Sequence, residues 1–200
     1  MHFDSPSDAA TDVVLMRRAL ELAARGWART RPNPMVGAVV VRGDEIVGEG
    51  WHAEYGGPHA EVLALDAAGE RARGATLYVS LEPCNHHGRT PPCTDAIVQA
   101  GIARVVFAAA DPNPMAQGGL ERLRAAGIEV TTDVERDAAR SLNAEFFHRH
   151  EQPTAFVALK LALSLDGRLS THAGTPTDVT GTEARAEVQR LRAGFDAVLI

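Results

Sequence analysis

Hydrophobic positions along this chain switch repeatedly between a helical period and short apolar runs, the mark of helices alternating with buried strands. Val13, Met16, Leu20 and the Ala23–Ala24 pair fall at helical spacing over residues 12–25, and Gly26 supplies a stop. Arg31-Pro32-Asn33-Pro34 follows, which two prolines keep out of any helix interior. Residues 36–41 read as a strand, 42–45 as a turn and 46–51 as a second strand. After Gly56-Gly57-Pro58 a helix is expected over 59–68, then a buried strand over 75–81. An irregular loop rich in Pro, His and Gly runs to residue 92, and a short helix over 93–100 ends at Gly101. A strand at 104–110, the loop Asp111-Pro112-Asn113-Pro114, a helix at 119–126, a strand at 128–131 and a long helix at 134–150 complete the pattern.

That order predicts an α/β domain over residues 1–150, a mixed sheet with helices on both faces. Gln152-Pro153 reads as a junction. Beyond it a new pattern begins: a strand over 155–163, a turn at Asp166-Gly167, a helix over 182–192 and an apolar strand at 197–200. A domain would not naturally end on an unpaired apolar strand, so residues 151–200 are read as the N-terminal part of a second, incomplete domain. There is no internal repeat and no low-complexity tract.

Composition narrows the function classes. At 45% hydrophobic and 23% charged, the 200 residues are those of an ordinary soluble protein. The net charge of −6 argues against a nucleic-acid partner, although a few local arginines can still hold one phosphate. No apolar run approaches the length of a membrane span, and the polar, acidic N-terminus is unlike a signal peptide, so a cytoplasmic location is expected. In that compartment the two cysteines point to metal binding or chemistry rather than to a disulfide.

The chemistry concentrates at His59-Ala60-Glu61, and at Pro83-Cys84 followed after eight residues by Cys93. One imidazole and two thiolates fill three positions of a tetrahedral zinc site and leave one for water, as catalytic zinc requires. The metal acidifies that water, so hydroxide is available near neutral pH. On a helix, a two-residue step turns side chains about 200° apart, so Glu61 stands beside the ion His59 ligates and is suited to move protons. Cys93 is expected to open a helix, whose positive end favours thiolate. A structural zinc knot remains the alternative, with a fourth ligand from another histidine.

With these segments the chain resembles the bifunctional deaminase–reductase of bacterial riboflavin biosynthesis. The resemblance is carried by Arg31 to Gly37 (RPNPMVG), Gly57-Pro58-His59-Ala60-Glu61, Leu81 to Cys93 (LEPCNHHGRTPPC), Asp111-Pro112-Asn113-Pro114, Leu159-Lys160-Leu161 and Ser164 to Arg168 (SLDGR). It implies a cytidine-deaminase-like three-layer α/β/α domain followed by the start of a dihydrofolate-reductase-like α/β domain. It also implies zinc in the first, NADPH in the second, and a substrate that is a diaminopyrimidinone bearing a ribosylamino phosphate. Catalytic duty falls to Glu61 and metal binding to His59, Cys84 and Cys93. Asn33, set between prolines, is favoured as a contact to the base, with Asn113 in the same setting; either could instead cap a turn. His52 either lines the pocket or is structural. His86 and Arg89, between the two cysteines, would hold the phosphate or ribose, or else belong to a solvated loop.

In the second domain Arg192 matches a phosphate contact, and Lys160 and Asp178 stand on the cofactor side. There the chain departs from the pattern: Pro176 replaces a serine and Asp178 a tryptophan, and an aspartate faces a polyanionic cofactor unfavourably. A deaminase with a degenerate reductase half, or a nucleoside or polynucleotide deaminase with the same zinc chemistry, are the competing readings. The family also implies a homo-oligomer.

Overall fold

The computed structural model describes residues 6–88, 91–175 and 177–199. It divides into two compact units, Met1–Thr154 and Ala155–Ile200. The first contains five strands: β1 Gly37–Arg42, β2 Glu45–Trp51, β3 Thr76–Val79, β4 Arg104–Phe107 and β5 Glu129–Thr131. They form one sheet in the order β2-β1-β3-β4-β5, antiparallel from β2 through β1 to β3 and parallel from β3 through β4 to β5.

Strand side chains point alternately to the two faces, and the chain uses both. Ala38 and Val40 of β1, Leu77 and Val79 of β3, and Val105 and Phe107 of β4 face helices α2 (Ala60–Ala68), α3 (Cys93–Ala100) and α4 (Gly119–Ala125), meeting Ala64, Ile97 and Leu123. The intervening Val39, Val41, Tyr78 and Val106 face α1 (Pro6–Ala24), α5 (Arg136–Leu142) and α6 (Ala144–Glu151), meeting Met16, Leu22, Ala139, Phe146 and Phe147. The result is the three-layer α/β/α sandwich expected of the first domain. Helix α2 lies unusually close to the sheet: a Cβ at Gly50 would fall 2.4 Å from Ala60 O, so only glycine admits this approach.

One hydrogen-bonded corner stiffens the frame. Arg104 on β4 donates from both terminal nitrogens to the Asp12 carboxylate of α1, at 2.8 and 2.7 Å, and the Tyr78 hydroxyl donates to the same group at 2.8 Å. Burial pushes the Asp12 carboxyl up, but the Arg104 and Tyr78 hydrogen bonds outweigh it and hold the group below its ordinary value.

The structure corrects the sequence reading in three places. The long helix expected over 134–150 is two helices, α5 and α6, jointed at Asn143, whose φ of −108° and ψ of 31° leave helical geometry. His59 is not inside α2 but caps it in extended conformation, so the angular argument separating it from Glu61 does not apply as stated. In the second unit the described residues of 155–163 and 197–199 form no strand. A strand needs a neighbour for its backbone groups, and none of the described residues supplies one. What does form there is the turn at Gly167, with φ of 77° and its amide bonded to Ser164 O, and helix α7, Thr182–Arg192. No helix among the described residues is long and apolar enough to cross a membrane.

Candidate active site

Strand directions bring the predicted residues together. β3 and β4 run parallel, so their C-terminal ends share one edge of the sheet. β1 opposes β3 and β2 opposes β1, so the start of β1 and the end of β2 lie at that same edge. The connections leaving it carry Asn33, His52, Cys84 and Asp111, and the edge is where ligands settle in sheets of this kind. Backbone bonds stitch these connections: His52 N–H donates to Val36 O at 2.9 Å, Ser80 N–H to Gly37 O at 3.0 Å, and Glu82 N–H to Ala109 O at 2.8 Å. Between them lies a cavity of about 280 Å³ lined by Asn33, His52, His59, Glu61, Cys84, His86, Asp111, Asn113 and Phe146, among others.

At one wall, His59 Nδ1 stands 3.1 Å from Cys93 Sγ and 3.6 Å from Cys84 Sγ, and all three ligand atoms lie within 4.8 Å of one another. Tetrahedral zinc with bonds of about 2.3 Å to sulfur and 2.0 Å to nitrogen sets its nitrogen and sulfur ligands about 3.6 Å apart, so the three fit that ion. Cys93 opens α3, as expected, and its own N–H donates to Cys84 Sγ at 3.4 Å. In the metal-free chain, the hydrogen bond from Cys93 draws Cys84 down against its burial, with His59 adding to the pull. The same hydrogen bond and burial push Cys93 up. The shifts are opposed because the two thiols interact directly, and a bound dication would favour the thiolate at both. His59 is raised by its hydrogen bond to Cys84, against burial.

Glu61, 4% exposed in the first turn of α2, is not one of the three ligands. Burial lifts its carboxyl to about 7, and the Cys84 charge adds to the rise. Its place beside the three ligands suits Glu61 to take and return a proton.

His52 stands beside His59, with ring centroids 5.7 Å apart. His52 Nδ1 lies 2.9 Å from Pro58 O, and because a carbonyl only accepts, Nδ1 carries the hydrogen. Nε2 is then the acceptor for Asn33 Nδ2–H at 3.3 Å. Burial holds His52 below its ordinary value and so favours this neutral form, against the pull of the Pro58 hydrogen bond. His52 therefore lines the cavity with both nitrogens engaged and orients Asn33. Asn113 Oδ1 accepts from Met115 N–H at 3.1 Å, so the turn-capping alternative holds for its oxygen. His86 lines the cavity, and its Nδ1 is shielded from solvent without a hydrogen-bond partner. Arg89 and Pro176 lie outside the described residues.

Lys160, Asp178 and Arg192 belong to the second unit, not to this cavity. All three are exposed, and Asp178 pairs with Arg185 at 3.2 Å. These residues form no cradle for a dinucleotide.

Sequence reasoning passed over several wall residues. Glu82, 7% exposed, accepts from Asp111 N–H at 3.3 Å and from Leu120 N–H at 3.1 Å, pinning the loop that carries Asp111 and Asn113. Burial, opposed by the Asn113 amide, raises Asp111 to about 6. Helix α4 starts so close that a Cβ at Gly119 would fall 2.0 Å from Pro83 O. The position of Glu82 beside Pro83-Cys84 was a usable signal; Phe146, on α6, offered none.

Residues 9–109 match the family described as the cytidine and deoxycytidylate deaminase zinc-binding region, and residues 155–200 match the RibD C-terminal domain. The riboflavin biosynthesis protein RibD of Escherichia coli (strain K12) is 52% identical over 189 residues, covering 94% of this chain and 52% of that protein. The chain belongs to the cytidine and deoxycytidylate deaminase family, in its RibD branch. RibD of Acinetobacter baumannii superposes with a TM-score of 0.83 at 48% identity, covering 93% of this chain and 52% of that one. A diaminohydroxyphosphoribosylaminopyrimidine deaminase/5-amino-6-(5-phosphoribosylamino)uracil reductase from Thermotoga maritima superposes with a TM-score of 0.84 at 44% identity, covering 92% of this chain and 53% of that one. The chain thus spans about half the length of the relatives it matches. Family and donor set agree on zinc for His59, Cys84 and Cys93.

Proposed function

We propose that this chain carries the hydrolytic deaminase of riboflavin biosynthesis, acting on a diaminopyrimidinone with a ribosylamino phosphate. The observation that carries the reading is a buried Glu61 beside a three-residue zinc site, in the wall of a cavity that Asn33 and His52 also line. When bound, zinc supplies a nucleophilic water near neutral pH. Glu61 takes a proton from that water on its carboxylate, gives it to a ring nitrogen, and passes a further proton to the departing amine. Water and the amino-bearing ring carbon become a ring carbonyl and ammonia, so no oxidant or reductant is needed.

Asn33, oriented by His52, faces the ring edge, and His86 lines the cavity on the side of the ribose or phosphate. The Thermotoga maritima relative is named for both a deaminase and a reductase activity, and the match over residues 155–200 extends the proposal to an NADPH-dependent reductase half in a longer protein. The exposed Lys160 and the Asp178–Arg185 pair give that half no mechanistic step here.

Ammonia release tests the reading. The zinc-loaded protein is expected to deaminate the phosphorylated diaminopyrimidine, and the dephosphorylated compound, cytidine and single-stranded DNA far more slowly. Preferential turnover of cytidine or of bases in DNA would overturn it.

A further inference from the structure

Asn33 sits on a connection without regular structure, yet it lines the cavity. The segment is held from far along the chain. Asn143 Nδ2–H donates to Met35 O at 2.9 Å, and Met35 N–H donates to Asn143 Oδ1 at 2.8 Å, across 108 residues. One carboxamide thus satisfies both backbone groups of the residue two positions after Asn33, much as a neighbouring strand would.

The location of Asn143 fits that duty. It is 3% exposed and forms the joint between α5 and α6. Helical bonds still run through it: its N–H reaches Ala139 O at 3.2 Å, and Phe147 N–H reaches its carbonyl at 3.1 Å. Asparagine is a weak helix former because its side chain competes for backbone groups; here the backbone it binds belongs to another segment. The first turn of α6 adds two contacts to the same region. Glu145 pairs with Arg31 at 3.1 Å, on the other side of Asn33, and Phe146 lines the cavity.

We infer that Asn143 is a positioning residue for substrate recognition. By clasping Met35 it keeps Asn33 Nδ2 on His52 Nε2, which fixes how the Asn33 amide meets the substrate ring. Asn143 does not line the cavity itself. The inference rests on the deaminase reading for its kinetic consequence and on the hydrogen bonds alone for its structural one.

A double-mutant cycle on the zinc-loaded protein tests it. With the diaminopyrimidine phosphate, Asn33→Ala is expected to raise KM about tenfold and Asn143→Ala about fivefold, with kcat and zinc content held within about twofold. Because the second residue acts through the first, Asn33→Ala combined with Asn143→Ala should match Asn33→Ala alone; a multiplied rise of about fiftyfold would overturn the inference. So would an Asn143→Ala protein that loses zinc or kcat at unchanged KM. Asn143→Asp, which keeps the acceptor for Met35 N–H and removes the donor, carries the same test if the alanine variant does not fold. A second readout needs no turnover: in ¹⁵N-labelled protein, Asn143→Ala or Asn143→Asp should shift the Asn33 side-chain amide resonances and speed exchange at the Met35 amide. Unmoved Asn33 resonances contradict positioning. A wild-type protein that never releases ammonia contradicts the deaminase reading while leaving this spectrum decisive.

Discussion

His59, Cys84 and Cys93 are held largely by their own backbone, whereas the recognition residues beside them are held by side chains from other segments. His59 caps α2, Cys93 opens α3, and the Cys93 amide reaches the Cys84 sulfur nine residues back. By contrast, His52 orients Asn33, Glu82 pins Asp111 and Asn143 clasps Met35 through side-chain hydrogen bonds. The metal wall is set by helix ends, the recognition wall by side chains. Chemistry and substrate choice should therefore fail separately when each wall is damaged.

The largest effect comes from the metal wall. Cys93→Ala is expected to lose zinc and with it all ammonia release, and a chelator should do the same reversibly to the wild type. Metal analysis alongside the assay checks both; activity surviving without zinc would break the comparison at its first term.

A site belonging to neither wall should change stability alone. Asp12→Ala removes the two-pronged partner of Arg104, which keeps Glu129 at 3.3 Å and Thr131 at 2.9 Å, and should cost about 2 kcal/mol in chemical denaturation at unchanged KM. The pH dependence has a fixed sign. Because the folded Asp12 pKa is depressed below its ordinary value of 3.8, its contribution is fully present above that value. It is lost as pH falls through the lower folded value, so the gap between wild type and variant should narrow only in acid. A gap that widened there would contradict the assignment.

Smaller effects belong to the recognition wall. Asn33→Ala should raise KM about tenfold, close to 1.4 kcal/mol, with zinc retained and kcat little changed. Equal losses in kcat and kcat/KM would move Asn33 to the chemical side. Glu82→Gln offers one acceptor oxygen to two backbone amides and should lower stability by about 1 kcal/mol in urea without loss of zinc.

The same division explains what the sequence made legible. His59-Ala60-Glu61 and the two cysteines could be read because ligand type and spacing carry the chemistry, and the sheet could be read because its strands alternate or run apolar between turns. Asn143 could not. It lay inside an apparently continuous helical pattern, and only the fold brings Met35 to it. His52 was visible as a candidate, but its role of orienting Asn33 depends on Pro58 O fixing the tautomer. In the second unit residues 155–163 read as a strand. Leu159 is 82% exposed, and an apolar run makes a strand only where a neighbour accepts its hydrogen bonds.

The most direct test of the proton-shuttle site is Glu61→Gln, assayed for zinc and ammonia in the same preparation. The amide keeps the shape of the side chain and removes its titrating proton. Zinc equal to the wild type with ammonia release from the diaminopyrimidine phosphate reduced by at least about 10³-fold is the predicted result. Full zinc with turnover near that of the wild type would contradict it.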